Sequence, residues 1–237
     1  GISSTPQRCA QELRTAYTSP RNDVIISVGG GELMCEILDD IDFNKLKDAQ
    51  PRWFMGFSDN TNFTFLLTTL CDTASIYGPC ATAFGMEPWH ASLYDALGLL
   101  TGQKLSFDSY GLWEKESLRD ETHPLLPYHL TENEQLTLVN TRGGFLSMKG
   151  RLLGGCMDCL ENLIGTEYDH VAAFNHTYGG DGILWFLEAC DLNVMSIRRT
   201  LWHMEHAGWF THASGFLIGR PASGDAMMGL DHIRAVT

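Results

Sequence analysis

The first hundred residues alternate short apolar runs with segments whose apolar positions recur at helical spacing, the pattern that parallel βαβ units produce. Thr5-Pro6 supplies an N-cap and a favourable first helical residue, and Cys9, Leu13, Ala16 and Tyr17 then mark one helical face. Val24-Ile-Ile-Ser-Val28 predicts a buried strand that ends on Gly29-Gly30-Gly31, and an apolar Leu33, Ile37, Leu38 pattern follows. Trp53-Phe-Met-Gly-Phe57 predicts a second strand, after which Ser58-Asp59-Asn60 can cap a helix with Phe63, Phe65, Leu66, Leu67 and Leu70 on its apolar face. A third, Ala74-Ser-Ile-Tyr77, ends at Gly78-Pro79. In an open parallel sheet the ligand crevice lies beyond the carboxyl ends of the strands, so these three turns are expected to converge on one site.

From about Gly102 to Gly144 the pattern loosens around Trp113-Glu-Lys-Glu-Ser117 and His123-Pro-Leu-Leu-Pro127, which predicts a linker or lid. Patterning resumes at Gly150-Arg-Leu-Leu-Gly-Gly155, followed by helical spacing at Cys159, Leu160, Leu163 and Ile164. The apolar strand Ile183-Leu-Trp-Phe-Leu187 comes next, then a helix with Val194, Ile197, Leu201 and Met204 on one face, then the strand Gly215-Phe-Leu-Ile-Gly219. The expected organisation is an N-terminal α/β domain over 1–101, a linker or lid over 102–149 and a second, smaller α/β domain over 150–237.

Composition narrows the function. The 237 residues are 44% hydrophobic and 19% charged, and 16 Lys and Arg against 29 Asp and Glu give a net charge of -13. A basic phosphate-tracking face is not expected, and nucleic acid is not expected as a partner. No run of about 20 apolar residues is present, so no membrane span is expected. Seven Cys, an odd number, lie mostly inside apolar segments and point to a reducing compartment. The close pair Cys156-Met-Asp-Cys159 admits a redox or half-zinc reading, but without a second pair at zinc spacing it is read as structural. There is no initiator Met, and the chain stops in the helix-like Leu230-Asp-His-Ile-Arg-Ala-Val-Thr237, so it is expected to be a piece lacking both ends.

Ser58 is the first chemical candidate. A serine at a strand-to-helix turn projects its hydroxyl out of a strained bend, and the next N–H, that of Asp59, faces a developing oxyanion. The local sequence is Gly-Phe-Ser-Asp rather than Gly-x-Ser-x-Gly, and the same run also reads as a simple helix cap. Gly29 to Gly31 allow close backbone approach and could supply further N–H donors, or could form only a tight turn. Glu188 follows five apolar strand residues and points a carboxylate towards the same kind of crevice, where it could orient a histidine or cap a helix. Nine His are present, none at a spacing that identifies a general base, and His203 with His206 lack a third metal ligand.

Taken in order, the motifs resemble the LD-carboxypeptidase family of serine peptidases, and within it the branch of the microcin C immunity proteins. The resemblance runs through Ser3-Ser-Thr-Pro-Gln-Arg-Cys-Ala-Gln-Glu-Leu13, Ile25-Ile-Ser-Val-Gly-Gly-Gly31, Ile41-Asp-Phe43, Gly56-Phe-Ser-Asp59 and Tyr77-Gly-Pro79. It continues through Trp113-Glu-Lys-Glu-Ser-Leu118, Gly150-Arg-Leu-Leu-Gly-Gly155 and Phe186-Leu-Glu188. It implies a flavodoxin-like N-terminal domain with a parallel sheet, a smaller C-terminal α/β domain and an active site between them.

It also implies a Ser-Glu-His triad with Ser58 as nucleophile and Glu188 as the acidic member, Asp59, Gly30 and Gly31 on the oxyanion side, and no metal or cofactor. The loop around Trp113 resembles an insertion that offers an aromatic surface to a nucleotide base. The implied substrates are an L,D-bonded murein peptide or a peptidyl- or aminoacyl-nucleotide amide, handled in the cytoplasm, and members often form homodimers. The family's histidine lies on a strand beyond the Phe-Leu-Ile-Gly-Arg segment, so His232 is not given that role and this chain is expected to lack the base. The rival expectation is a non-catalytic module holding a peptide carboxylate or a nucleotide in the same crevice.

Overall fold

The computed structural model describes residues 4–139 and 145–237; Ser3 of the first motif and residues 140–144 of the expected lid lie outside the described residues. Thr5 caps α1 (Pro6–Thr18) by accepting the Arg8 N–H, with Pro6 in the first turn, and the helix buries Ala10 and Tyr17. β1 (Val24–Ile26) follows, then a 3-10 segment Met34–Asp40, α2 (Phe43–Asp48) and β2 (Trp53–Gly56). A 3-10 turn Ser58–Asn60 runs into α3 (Thr61–Thr69), which leads to β3 (Ile76–Tyr77) and α4 (Ala91–Leu100). β1, β2 and β3 form a parallel sheet in that order.

The next elements are β4 (Leu112–Glu114), β5 (Leu130–Asn133), β6 (Arg151–Cys156), α5 (Met157–Leu163) and α6 (Val171–Tyr178). β7 (Ile183–Glu188), α7 (Val194–His206), β8 (Ala213–Ile218) and α8 (His232–Val236) complete the chain. β6, β7 and β8 form a second parallel sheet, its register pairing Cys156 with Glu188 at one end. The fold is α/β with two parallel sheets, as expected.

Two local expectations change. The strand at Val24 stops at Ile26: the Ser27 hydroxyl donates to the Gly29 carbonyl, the carbonyls of Ser27 and Val28 accept from the N–H groups of Ala81 and Thr82, and Val28 is 72% exposed. Within the expected lid, β4 and β5 pair as an antiparallel ladder. Neither strand has a buried residue, so no hydrophobic alternation announced them.

α3 explains how the two sheets become one body. Every residue from 61 to 67 is buried, which is the behaviour of a helix enclosed on all sides. Phe63 packs edge-on against Phe54 of the first sheet at 4.7 Å, while Phe65 stacks on Trp209 at 5.4 Å and approaches Trp185 of β7. One apolar cluster therefore runs through both sheets, each fully buried Phe or Leu contributing about 1.5–3 kcal/mol. Close approach of β6 needs its two glycines. At Gly154 a Cβ would fall 1.8 Å from the Phe186 carbonyl oxygen, and at Gly155 it would fall 2.6 Å from Thr61 Cγ2.

Candidate active site

Ser58 sits where β2 gives way to the 3-10 turn, with φ +61°. A left-handed conformation costs a non-glycine residue about 1–2 kcal/mol, so surrounding contacts must impose it. Those contacts are present. The Ser58 N–H donates to Tyr77 Oη at 2.9 Å, the Cys159 thiol lies 3.7 Å from the Ser58 carbonyl oxygen, and Asn60 Nδ2 donates to the carbonyls of Phe57 and Gly29. The reading of this run as a helix cap is not what forms: neither Phe57 nor Asn60, at the two helix starts, makes a side-chain cap bond.

The glycine run lies against this elbow. A Cβ on Gly30 would sit 3.2 Å from Ser58 Oγ and 3.9 Å from the Asp59 nitrogen, and one on Gly31 would sit 3.0 Å from Asp59 Oδ2. Asp59 ties the two together, since its buried carboxylate accepts the Met34 N–H and the Asn62 side-chain amide, each at 3.0 Å. Burial pushes the Asp59 carboxyl pKa up, and those two hydrogen bonds work against the rise.

Glu188 ends β7 on the neighbouring sheet, and its carboxylate accepts the Tyr77 phenol proton. Burial, and then the charge of Glu188, raise the Tyr77 pKa well above the ordinary tyrosine value, so the phenol stays protonated and remains the donor. Among the described residues no histidine bonds Glu188. His232 begins α8, where its Nε2 is buried without a partner, and burial lowers its pKa. His206 stacks on Trp202 at 4.1 Å, and among the described residues no group of three or more His, Cys, Asp or Glu could hold a metal.

A cavity of about 120 Å³ opens beside the elbow, bordered by Gly31, Ser58, Asp59, Cys156, Cys159 and Asp191 among others. Glu188, Gly30 and Trp113 do not line it. Trp113 lies on β4 with the Arg220 guanidinium 3.6 Å from its ring centre, so one face of the indole is covered. Cys156 and Cys159 are buried free thiols, and the hydrogen bond to Cys159, with burial, drives the Cys156 pKa far upward.

Two residues of the site were not singled out from sequence. Tyr77 was visible as the end of the third strand and the start of the Tyr77-Gly-Pro79 motif, with no role attached to it. Asp158, in the first turn of α5, accepts the backbone N–H groups of Cys190, Asp191 and Leu192 and so anchors the loop that follows Glu188. An acidic residue just inside a helix start was its only signal.

In this α/β protein a serine on a strained strand-to-helix elbow faces a glycine run and is tied through a phenol to a carboxylate on a second parallel sheet. Residues 1–78 match the LD-carboxypeptidase N-terminal domain and residues 149–235 match the LD-carboxypeptidase C-terminal domain; the chain belongs to this family.

Its relatives include a murein tetrapeptide carboxypeptidase of Pseudomonas aeruginosa, 23% identical over 86% of this chain and 57% of that one. The chain spans 59% of a carboxypeptidase-like relative from Streptomyces coelicolor and 62% of one from Synechocystis. The fold is shared with the immunity protein MccF solved with glutamyl sulfamoyl guanosine (TM-score 0.73, 21% identity, 94% of this chain and 65% of that one). It is also shared with a muramoyltetrapeptide carboxypeptidase from Oxalobacter formigenes (TM-score 0.68, 19% identity, 99% and 70%). An MccF-like protein from Streptococcus pneumoniae solved with AMP gives a TM-score of 0.74 at 21% identity, covering 92% and 68%.

Proposed function

We propose that the chain carries the nucleophile and the acidic member of a serine-type hydrolase acting at an amide carbonyl. The observation that carries this reading is the Ser58 elbow, a positive-φ serine whose own N–H is tied by Tyr77 to Glu188. Ser58 Oγ attacks the carbonyl carbon as its proton passes to a general base. The N–H of Asp59, with those of Gly30 and Gly31, takes the negative oxygen, and collapse expels the amine as the base returns the proton. Water then releases the acyl group by the same path in reverse. Glu188 orients the base. Because no described histidine meets Glu188, the 237-residue chain by itself is proposed to be inactive or slow, and the native protein in every activity test below is the full-length one.

The substrate class is a small peptide: an L,D-bonded murein peptide, as the name of the Pseudomonas aeruginosa relative suggests, or an aminoacyl- or peptidyl-nucleotide amide, as the ligands of the MccF structures suggest. For the second class, Trp113 would offer a base the face that Arg220 leaves uncovered. A cytoplasmic location and homodimerisation, both implied by the family resemblance, belong to the same proposal.

Hydrolysis of an L,D-tetrapeptide and of an aminoacyl sulfamoyl adenosine, followed for the native protein and for Ser58→Ala, tests it. Cleavage of either substrate that is lost in Ser58→Ala supports the reading. Undiminished cleavage by Ser58→Ala refutes it, and binding of either compound without turnover favours the non-catalytic module.

A further inference from the structure

We infer that Tyr77 is a positioning residue, its phenol oxygen holding the Ser58 elbow and the Glu188 carboxylate in one fixed relation across the two sheets. The inference rests on the hydrolase reading above and deepens it. A phenol has one proton to donate and lone pairs to accept with, and at Tyr77 both capacities are spent inside the site. The proton goes to Glu188 Oε1, and a lone pair takes the Ser58 N–H at 2.9 Å.

The two partners come from different sheets. Tyr77 ends β3 beside β2, which delivers Ser58, whereas Glu188 ends β7. A nucleophile and the residue that orients its base must agree to within about 0.5 Å, and here the agreement depends on one oxygen atom rather than on the length of a loop. Donor direction is settled too, because burial and the Glu188 charge keep the proton on the phenol. The occupied Ser58 N–H cannot also hold an oxyanion, which leaves that task to the N–H groups of Asp59 and the glycine run.

A purely structural role makes a different prediction. The Tyr77 ring packs against Phe186 at 5.5 Å between centroids, and phenylalanine would keep that contact while losing both hydrogen bonds. If packing were all, Tyr77→Phe would behave as native.

The test has a kinetic arm and an exchange arm. In the native protein, Ser58→Ala and Tyr77→Phe, kcat and KM are measured on whichever substrate is cleaved. In the native protein, Tyr77→Phe and Glu188→Ala, backbone hydrogen exchange is followed residue by residue. Tyr77→Phe is expected to lower kcat by about 100-fold with KM within about two-fold, since misalignment harms the reaction more than binding. The Ser58 amide is expected to exchange about ten-fold faster in Tyr77→Phe, while the amides of Phe54 to Gly56 hold their native rates.

Glu188→Ala reports on the same link from the other sheet and serves if Tyr77→Phe does not fold: freeing the phenol should also speed Ser58 amide exchange. Native kcat in Tyr77→Phe beside an inactive Ser58→Ala, or unchanged Ser58 exchange in both Tyr77→Phe and Glu188→Ala, overturns the inference. Should Ser58→Ala cleave at the native rate, or should no substrate be cleaved, the hydrolase reading fails and the exchange arm still decides the role of Tyr77.

Discussion

Cys156 donates its backbone N–H to Thr61 Oγ1 across 2.9 Å in a fully buried contact, and by it the second sheet is seated on the helix that follows the Ser58 elbow. The adjoining Gly155 has φ +146°, and a Cβ there would lie 2.6 Å from Thr61 Cγ2 and 2.8 Å from Thr61 Oγ1. Gly155→Ala is therefore expected to lose about 3 kcal/mol, from overpacking added to backbone strain. Gly102 also has positive φ, +69°, but a Cβ there meets nothing within 4 Å, so Gly102→Ala should lose only about 1 kcal/mol. Urea unfolding of both variants checks the contrast; equal losses would remove the steric part of the account.

The elbow sacrifices stability for geometry. Glycine adopts φ near +61° without the Cβ penalty, so Ser58→Gly should be more stable than Ser58→Ala by about 1 kcal/mol, and both should be inactive. Paired thermal and urea melts measure the difference. An alanine variant as stable as the glycine variant would show that the bend is not strained.

The pH dependence of stability should carry a contribution from His232. Burial lowers its pKa below the ordinary 6.5, so the folded state resists the proton that the unfolded chain takes up. Its contribution is intact above 6.5 and is lost as pH falls from there through the folded-state value. In His232→Phe the decline over that window should be shallower than in the native protein, as urea unfolding at several pH values would show.

Much of this was legible in the chain because the informative elements are apolar and, apart from β1, which was expected to be buried and is half-buried, largely enclosed. Val24–Ile26, Trp53–Gly56 and Ile183–Glu188 are strands whose hydrophobic runs stand out from their neighbours, and the Phe63 to Leu67 cluster marks a helix. The ladder of β4 and β5, which has no buried residue, left no such trace.

At the site, Ser58 was visible from its place between a strand and a helix, and the glycine run from its composition. The link through Tyr77 was not, because it joins residues 111 positions apart through a side chain whose sequence context describes only a turn. Periodicity reports which face of an element is buried. It does not report which polar atoms meet once two sheets close on each other.

Asp158 makes a similar long-range contact. Its carboxylate accepts three backbone N–H groups, those of residues 190–192, and hydrogen bonds to a charged acceptor are the stronger kind. Asp158→Ala should lose about 2 kcal/mol of stability and leave those three amides open to fast exchange. Native protection at residues 190–192 in the variant would show that something else holds the loop.

The assignment of Ser58 as the nucleophile is met most directly by covalent trapping. The native full-length protein, in which a base can meet Glu188, is treated with a serine-reactive alkyl fluorophosphonate, digested, and the peptide containing Trp53 to Asn62 is weighed. The account predicts one added alkylphosphonyl group on Ser58 and none in Ser58→Ala. An unlabelled Ser58, or equal labelling of the native protein and Ser58→Ala at another residue, would contradict it.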